Sequence, residues 1–237
     1  MQWTDESIAF LRDAAAMNRY YETIAEKITP QLPKNAHVCD AGCGIGELSL
    51  ALKPYCHHVT AVDADALAIK TLKAHLIEGV TARCGDMETL TPKEPYDAMV
   101  FCLFGRTEDT LRIAKKQCRG RIFLVKRDYS HHRFSAGQVS LGEYTAGSTE
   151  NVLREKGIPY TVERFTAEFG QPFRSLEAAE RFFALYNRNE SEALSKDEIR
   201  ARLTAGPSAE FPYYLPHEKA LCLFTIEAAA ISKEEAV

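Results

Sequence analysis

Residues 5–29 place Ile8, Leu11, Ala14, Met17, Tyr21, Ile24 and Ile28 three or four positions apart, which lays apolar side chains along one face of a helix. Asp5 and Glu6 suit the positive end of its dipole, and Pro30 and Pro33 mark its end. A different rhythm follows. Short apolar runs predict strands over 36–40, 58–63, 80–84, 98–104 and 121–125, the fourth without polar alternation, as in a strand buried on both faces. Helices are predicted between them over 47–52, 65–78 and 107–117. Pro54 stops the first, and Leu67, Ile69, Leu72, Leu76 and Ile77 form the apolar side of the second, which Gly79 closes. Gly120 reads as a break before the fifth strand.

After residue 126 the pattern changes. Residues 128–142 are polar and loop-like, 149–156 predict a helix and 159–169 a strand. Leu176, Ala179, Phe182, Phe183 and Tyr186 repeat at helical spacing over 176–187, and Ser195 with Glu198 makes a capping-box pattern ahead of a helix over 196–203. Residues 220–226 read as a last strand. Strands alternating with helices imply an α/β fold, a doubly wound and mostly parallel sheet with helices on both faces and a helical insertion at about 170–210 before the last strand. No repeat or flexible linker divides residues 1–237, so they read as one domain. Its parts are an N-terminal helix in 1–33, a sheet core in 34–126 and a C-terminal part in 127–237.

Composition refines this picture in four respects. With 237 residues, 46% of them hydrophobic, the chain can bury a sizeable core. A net charge of −4 from 29 basic and 33 acidic residues gives no bulk attraction for nucleic acid. No apolar run approaches the ~18 residues that span a bilayer, and residues 1–6 lack the features of a signal peptide, so a cytoplasmic protein with no membrane partner is expected. The seven cysteines include no C-x-x-C pair; reduced thiols and no metal site are expected.

The candidate chemistry centres on Asp40-Ala41-Gly42-Cys43-Gly44-Ile45-Gly46, between the first strand and the next helix. Glycines there let backbone amides approach a ligand closely. Three predicted strands end at acidic residues, Asp40, Asp63 and Asp86, and in an open parallel sheet such ends share the ligand-binding edge. Asp63 follows the glycines by about 20 residues, the spacing at which a carboxylate takes a ribose diol. Each Asp alone could cap the helix after it. The G-x-G-x-x-G loop of dinucleotide sites differs, because here the third glycine comes one residue early. A carboxylate two positions before the first glycine suits an ammonium better than a pyrophosphate.

Over roughly residues 36–126 these motifs resemble the class I S-adenosylmethionine-dependent methyltransferases, whose sheet is Rossmann-like and seven-stranded. The resemblance implies S-adenosylmethionine as cofactor and S-adenosylhomocysteine as product. Asp40 would hold the methionine amino group, and Gly42, Gly44 and Gly46 would let the backbone cover the homocysteine part. Asp63 would take the ribose, while Asp86 and the Met87 N–H would take the adenine. The strand ending at Cys102 would run beside the sulfonium. The N-terminal helix, with Tyr20, would close over the cofactor; Tyr21, on the apolar stripe, fits a core better. The insertion lies where this family builds its substrate cover, so Phe182, Phe183, Tyr186, Phe211, Tyr213 and Tyr214 form either a small core or a lid.

The activity implied is methyl transfer to a small-molecule acceptor. His131 and His132, just past the fifth strand, are the expected bases, because an imidazole near its ordinary pKa of ~6.5 can take a proton at neutral pH. Adjacent histidines in a polar loop are also commonly no more than solvated. Arg106 could anchor an anionic acceptor. The competing readings are a sensor or scaffold that binds the cofactor without turnover and an RNA methyltransferase, which the acidic balance disfavours. Nothing in the sequence specifies an oligomeric state.

Overall fold

The alternation of apolar runs is realised in a computed structural model that describes residues 2–75 and 77–231. Its strands are β1 (His37–Ala41), β2 (His58–Asp63), β3 (Val80–Cys84), β4 (Tyr96–Cys102), β5 (Cys118–Arg127), β6 (Thr161–Glu168), β7 (Gln171–Phe173), β8 (Thr204–Ala205), β9 (Tyr213–Leu215) and β10 (Glu218–Glu227). The helices are α1 (Asp5–Met17), α2 (Tyr20–Ile28), α3 (Glu47–Leu52), α4 (Ala66–Lys73), α5 (Thr107–Gln117), α6 (Ala146–Glu155), α7 (Leu176–Tyr186), α8 (Lys196–Ala201) and α9 (Ala228–Ile231). Seven strands form one sheet in the order β3-β2-β1-β4-β5-β10-β6. The first five are parallel, and β10 runs antiparallel to both β5 and β6. The order reverses between β1 and β4, the place where an open α/β sheet leaves a crevice at its carboxyl edge.

Among the described residues, no helix is long and apolar enough to cross a membrane. One face of the sheet buries Phe101, Leu124 and Phe224, and the other buries Val38, Val100, Phe123, Leu221 and Leu223 beneath Tyr20, Ile24 and Ile28 of α2.

Four expectations about elements are corrected. The apolar stripe over 5–29 is carried by two helices. Asn18 is extended (φ −127°, ψ 154°), and its side-chain amide donates to the Ala14 carbonyl at 2.7 Å and the Gly170 carbonyl at 2.9 Å. An amide that competes for backbone carbonyls in this way ends one helix and lets the next start at a new angle. The helix expected over 65–78 stops at Lys73; Ile77 is exposed, and Leu76 lies outside the described residues.

Gly120 does not break the fifth strand; it lies within β5, at a shift of register against Tyr96 and Ala98 of β4. A Cβ at Gly120 would stand 2.1 Å from the Asp97 carbonyl oxygen, a backbone atom that cannot swing away. Gly120→Ala is therefore expected to cost about 1–3 kcal/mol through overpacking, read as a lower urea midpoint at unchanged slope. A midpoint equal to the parent's would show that the bulge yields freely.

The insertion proves to be more than helical. β7, β9 and β8 pair antiparallel in a small second sheet beside α7 and α8. The capping box expected at Ser195 and Glu198 is formed. Phe10 of α1 meets Phe173 and Phe182 edge-on, at ring distances of 6.1 and 5.3 Å, which ties the N-terminal helix to the insertion.

Candidate functional site

Side chains in a strand alternate between faces, so residues two apart share one. Asp40 follows Val38, Cys102 follows Val100 and Arg127 follows Val125, all on the face covered by α2 and all at the carboxyl edge. Because β10 is antiparallel, its beginning lies at that same edge, and Lys219 precedes Leu221 and Leu223 on the same face. The pleat thus gathers one carboxylate, one thiol and two cations beneath α2. They line a cavity of about 320 Å³.

The glycine loop forms one end of this cavity. Gly42 and Gly44 take φ of +71° and +55°, and both line the space, together with Cys43 and Ile45. The loop is anchored by Gly42 and Cys43 N–H groups donating to the Val62 carbonyl. Gly44 N–H donates to Asp63 Oδ2 at 2.8 Å, while Asp63 Oδ1 accepts from Asp65 N–H at 2.9 Å. Gly46 plays a packing role: it starts α3 at φ +89°, and a Cβ there would strike the Leu72 side chain. The Trp3 ring covers Gly44, and the Trp3 backbone N–H donates to Asp65 Oδ2.

Asp40 is buried and accepts from the Ser49 hydroxyl at 2.6 Å. Burial raises its pKa to about 6, against the pull of that hydrogen bond. A carboxylate in this condition favours a cationic partner, because a cation returns the solvation that burial removed.

Asp63, Asp86 and Met87 lie along the same edge but outside the cavity lining. Asp63 is half-buried beneath the loop; Asp86 is exposed and accepts from Glu88 N–H; Met87 is buried in the core, where its carbonyl accepts from Gln117 at 2.6 Å. Tyr20 and Cys102 line the cavity. The Tyr20 hydroxyl is buried without a hydrogen-bond partner, and its ring lies 4.4 Å from that of Phe169.

The two histidines part company. His131 is exposed, paired with the Ser130 hydroxyl, and not among the lining residues. His132 lines the cavity, touches the Ser135 hydroxyl through Nδ1, and meets Phe134 edge-on. Burial, followed by the charges of Arg188 and Arg127, pushes its pKa down to about 4. It is thus neutral at pH 7 and a weak base. Arg106 is engaged elsewhere, with Asp109 and Glu143.

The far end of the cavity was not legible in the sequence. Arg127, Arg133, Arg188 and Lys219 line it, with walls from Phe134, Phe169, Phe182 and Tyr186. Lys219 Nζ lies 4.3 Å from the Phe169 ring centre and 4.6 Å from that of Tyr20. Burial and the neighbouring Arg127 lower its pKa to about 7. His217 is 3% exposed, and neither ring nitrogen has a partner. On the opposite face of β5, buried Lys126 donates to the Gly105 carbonyl at 2.9 Å and the Phe104 carbonyl at 3.3 Å. It thereby fixes the turn after β4, where Leu103 holds a positive φ of 53°.

Residues 38–119 match a family model described as a methyltransferase domain. A candidate type II methyltransferase from Anaeromyxobacter dehalogenans superposes with a TM-score of 0.57 at 16% identity, covering 89% of this chain and 97% of that one. The YcgJ protein of Bacillus subtilis gives 0.54 at 15% identity, covering 87% and 97%. A candidate RNA methyltransferase from Pyrococcus horikoshii gives 0.51 at 11% identity, covering 87% and 83%. No curated protein matches the chain in sequence. At these identities the structural neighbours speak for the fold, not for the acceptor.

Proposed function

We propose that this protein, whose residues 38–119 match a methyltransferase domain and whose sheet has the order such domains share, transfers a methyl group from S-adenosylmethionine to a small-molecule acceptor held beneath the insertion. The observation that carries the reading is a single cavity running from the glycine loop and buried Asp40 to the aromatic wall of the insertion. When bound, the cofactor supplies an electrophilic methyl carbon, which an acceptor lone pair takes as the electrons of the C–S bond return to sulfur.

The residues present suit that cofactor. Asp40 would pair with the amino group, and the backbone of Gly42 and Gly44, which lines the cavity at positive φ, would lie against the amino-acid half. Asp63 uses one bond on each oxygen to hold the loop, and a carboxylate has about four acceptor sites, so two remain for a ribose diol. Asp86 and the Met87 N–H would take the adenine at the open end of the edge. Cys102 and Tyr20 would flank the reacting end, where aromatic walls exclude water and hold the acceptor near attack distance.

Calorimetric titration with S-adenosylmethionine and S-adenosylhomocysteine tests the pocket, and labelled methyl transfer to metabolite pools and to RNA tests the acceptor. Binding without transfer to any pool would favour a sensor, and transfer to RNA alone would overturn the small-molecule reading. Because neither His131 nor His132 touches the glycine loop, His131→Ala and His132→Ala are each expected to keep cofactor affinity within about twofold, each lost contact being worth under ~0.5 kcal/mol to the cofactor. A tenfold loss in either would place that histidine in the cofactor pocket.

A further inference from the structure

The charges lining the cavity are segregated. Its acidic side chains, Asp40 and Glu47, belong to the end of β1 and the start of α3, while its cations belong to β5, the loop after it, the segment after α7, and β10. Cys102 lies between, within the fields of both Asp40 and Lys219. Among the described residues, no carboxylate lies within ion-pairing distance of Arg127, Arg133, Arg188 or Lys219, although the exposed arginines elsewhere are commonly paired. Lys219 packs on aromatic faces with no hydrogen-bonding partner among the described residues, and His217, facing the same cations, keeps both ring nitrogens unpartnered. Buried polar groups without partners are rare in folded proteins, and several converging on one cavity mark a place for ligand atoms.

We propose that the basic end of this cavity binds the carboxylate of a planar, aromatic acceptor. The inference rests on the proposed function and narrows its acceptor class. The cofactor alone cannot balance this end: its ammonium would be matched by Asp40 at the other end, and its single carboxylate would face four basic side chains. An anionic acceptor supplies the missing charge and lies against the sulfonium with favourable sign. His217 and the Tyr20 hydroxyl complete the hydrogen bonding, while Phe134, Phe182 and Tyr186 wall the acceptor's body. A neutral imidazole can donate to the carboxylate from one nitrogen, as can the phenol from its oxygen.

Benzoate, benzamide, benzylamine and phenyl phosphate are titrated in turn, by ligand-observed NMR, into protein saturated with S-adenosylhomocysteine. Benzoate is expected to bind at least tenfold more tightly than benzamide, and benzylamine not to bind. Arg188→Gln and Lys219→Met are each expected to weaken benzoate at least fivefold while S-adenosylhomocysteine affinity stays within twofold. Arg188 is exposed, so its variant tests the idea without threatening the fold. Phenyl phosphate binding more tightly than benzoate would overturn the carboxylate in favour of a phosphate. Benzamide or benzylamine matching benzoate would overturn the anionic class. A tenfold loss of S-adenosylhomocysteine affinity in Lys219→Met would assign that cation to the cofactor's carboxylate and overturn the proposal as well. If the parent protein fails to bind S-adenosylhomocysteine at all, the proposed function itself fails; if it binds and benzoate is not preferred, only this inference does.

Discussion

Asp40→Asn is expected to make the cofactor-free protein more stable at pH 7 while weakening S-adenosylhomocysteine ten- to a hundredfold. The carboxyl is buried, with a pKa raised from 3.8 to about 6, mainly by burial and further by the charge of Asp63, against the Ser49 hydrogen bond. In the unfolded chain it ionises near pH 4; in the folded chain it resists until about pH 6. Across that window the folded state holds the proton more strongly, so this group's contribution falls as pH rises, and the full cost stands above pH 6. A rise of that size corresponds to about 3 kcal/mol. Asparagine keeps an acceptor for the Ser49 hydroxyl and removes the charge, so urea unfolding should show the variant level with the parent near pH 4 and about 2–3 kcal/mol more stable at pH 7. The binding loss follows from a charge-assisted hydrogen bond worth about 1.5–3 kcal/mol. A variant no more stable at pH 7 than at pH 4, relative to the parent, would mean that the folded protein already compensates this charge. Undiminished affinity would remove Asp40 from the proposed site.

The two halves of the cavity differ in how far the sequence reveals them, and the difference has a physical cause. The cofactor end is local: Asp40 to Gly46 are contiguous, and positive φ at three alternating glycines is a backbone requirement that leaves its mark in residue type. The strand bounds of β2 and β3 and the helices α3 and α5 were legible for the same reason, since period and capping act over a few residues. The basic end is assembled from Arg127, Arg133, Arg188, His217 and Lys219, which lie in four stretches and share no spacing. Only the antiparallel placement of β10 beside β5 brings Lys219 to the edge where Arg127 ends. A lysine two residues before a buried leucine at a strand's start reads as a solvated end, and nothing nearby in sequence corrects that reading. The break at Asn18 escaped for a related reason: the apolar spacing runs through it, and the Gly170 carbonyl that holds its amide is 152 positions away. His132 shows the limit of residue type alone, because imidazole suggests a base, whereas its burial among arginines makes it a poor one.

Gly42→Ala is expected to damage the fold, and Gly157→Ala is its control. Both glycines hold positive φ, +71° and +62°, so an alanine at either place meets the same backbone strain, of order 1 kcal/mol. Their surroundings differ completely. A Cβ at Gly157 would meet nothing within 4 Å, whereas at Gly42 it would fall 2.1 Å from Cδ2 and 2.5 Å from Cγ of Phe104. Phe104 cannot simply turn aside, since its ring stacks on Phe101 at 6.2 Å and its carbonyl accepts from Lys126. Overpacking of this kind adds about 1–3 kcal/mol, so Gly42→Ala should lose about 2–4 kcal/mol in urea unfolding against about 1 for Gly157→Ala. The difference between the two isolates the steric part from the backbone part. If it vanished, the turn after β4 would be able to shift, and the fixed geometry that Lys126 and Leu103 give that turn would not hold. Should the difference appear, S-adenosylhomocysteine affinity should fall in Gly42→Ala alone, because displacing Phe104 disturbs the glycine loop at the cofactor end while residue 157 is not part of the cavity lining.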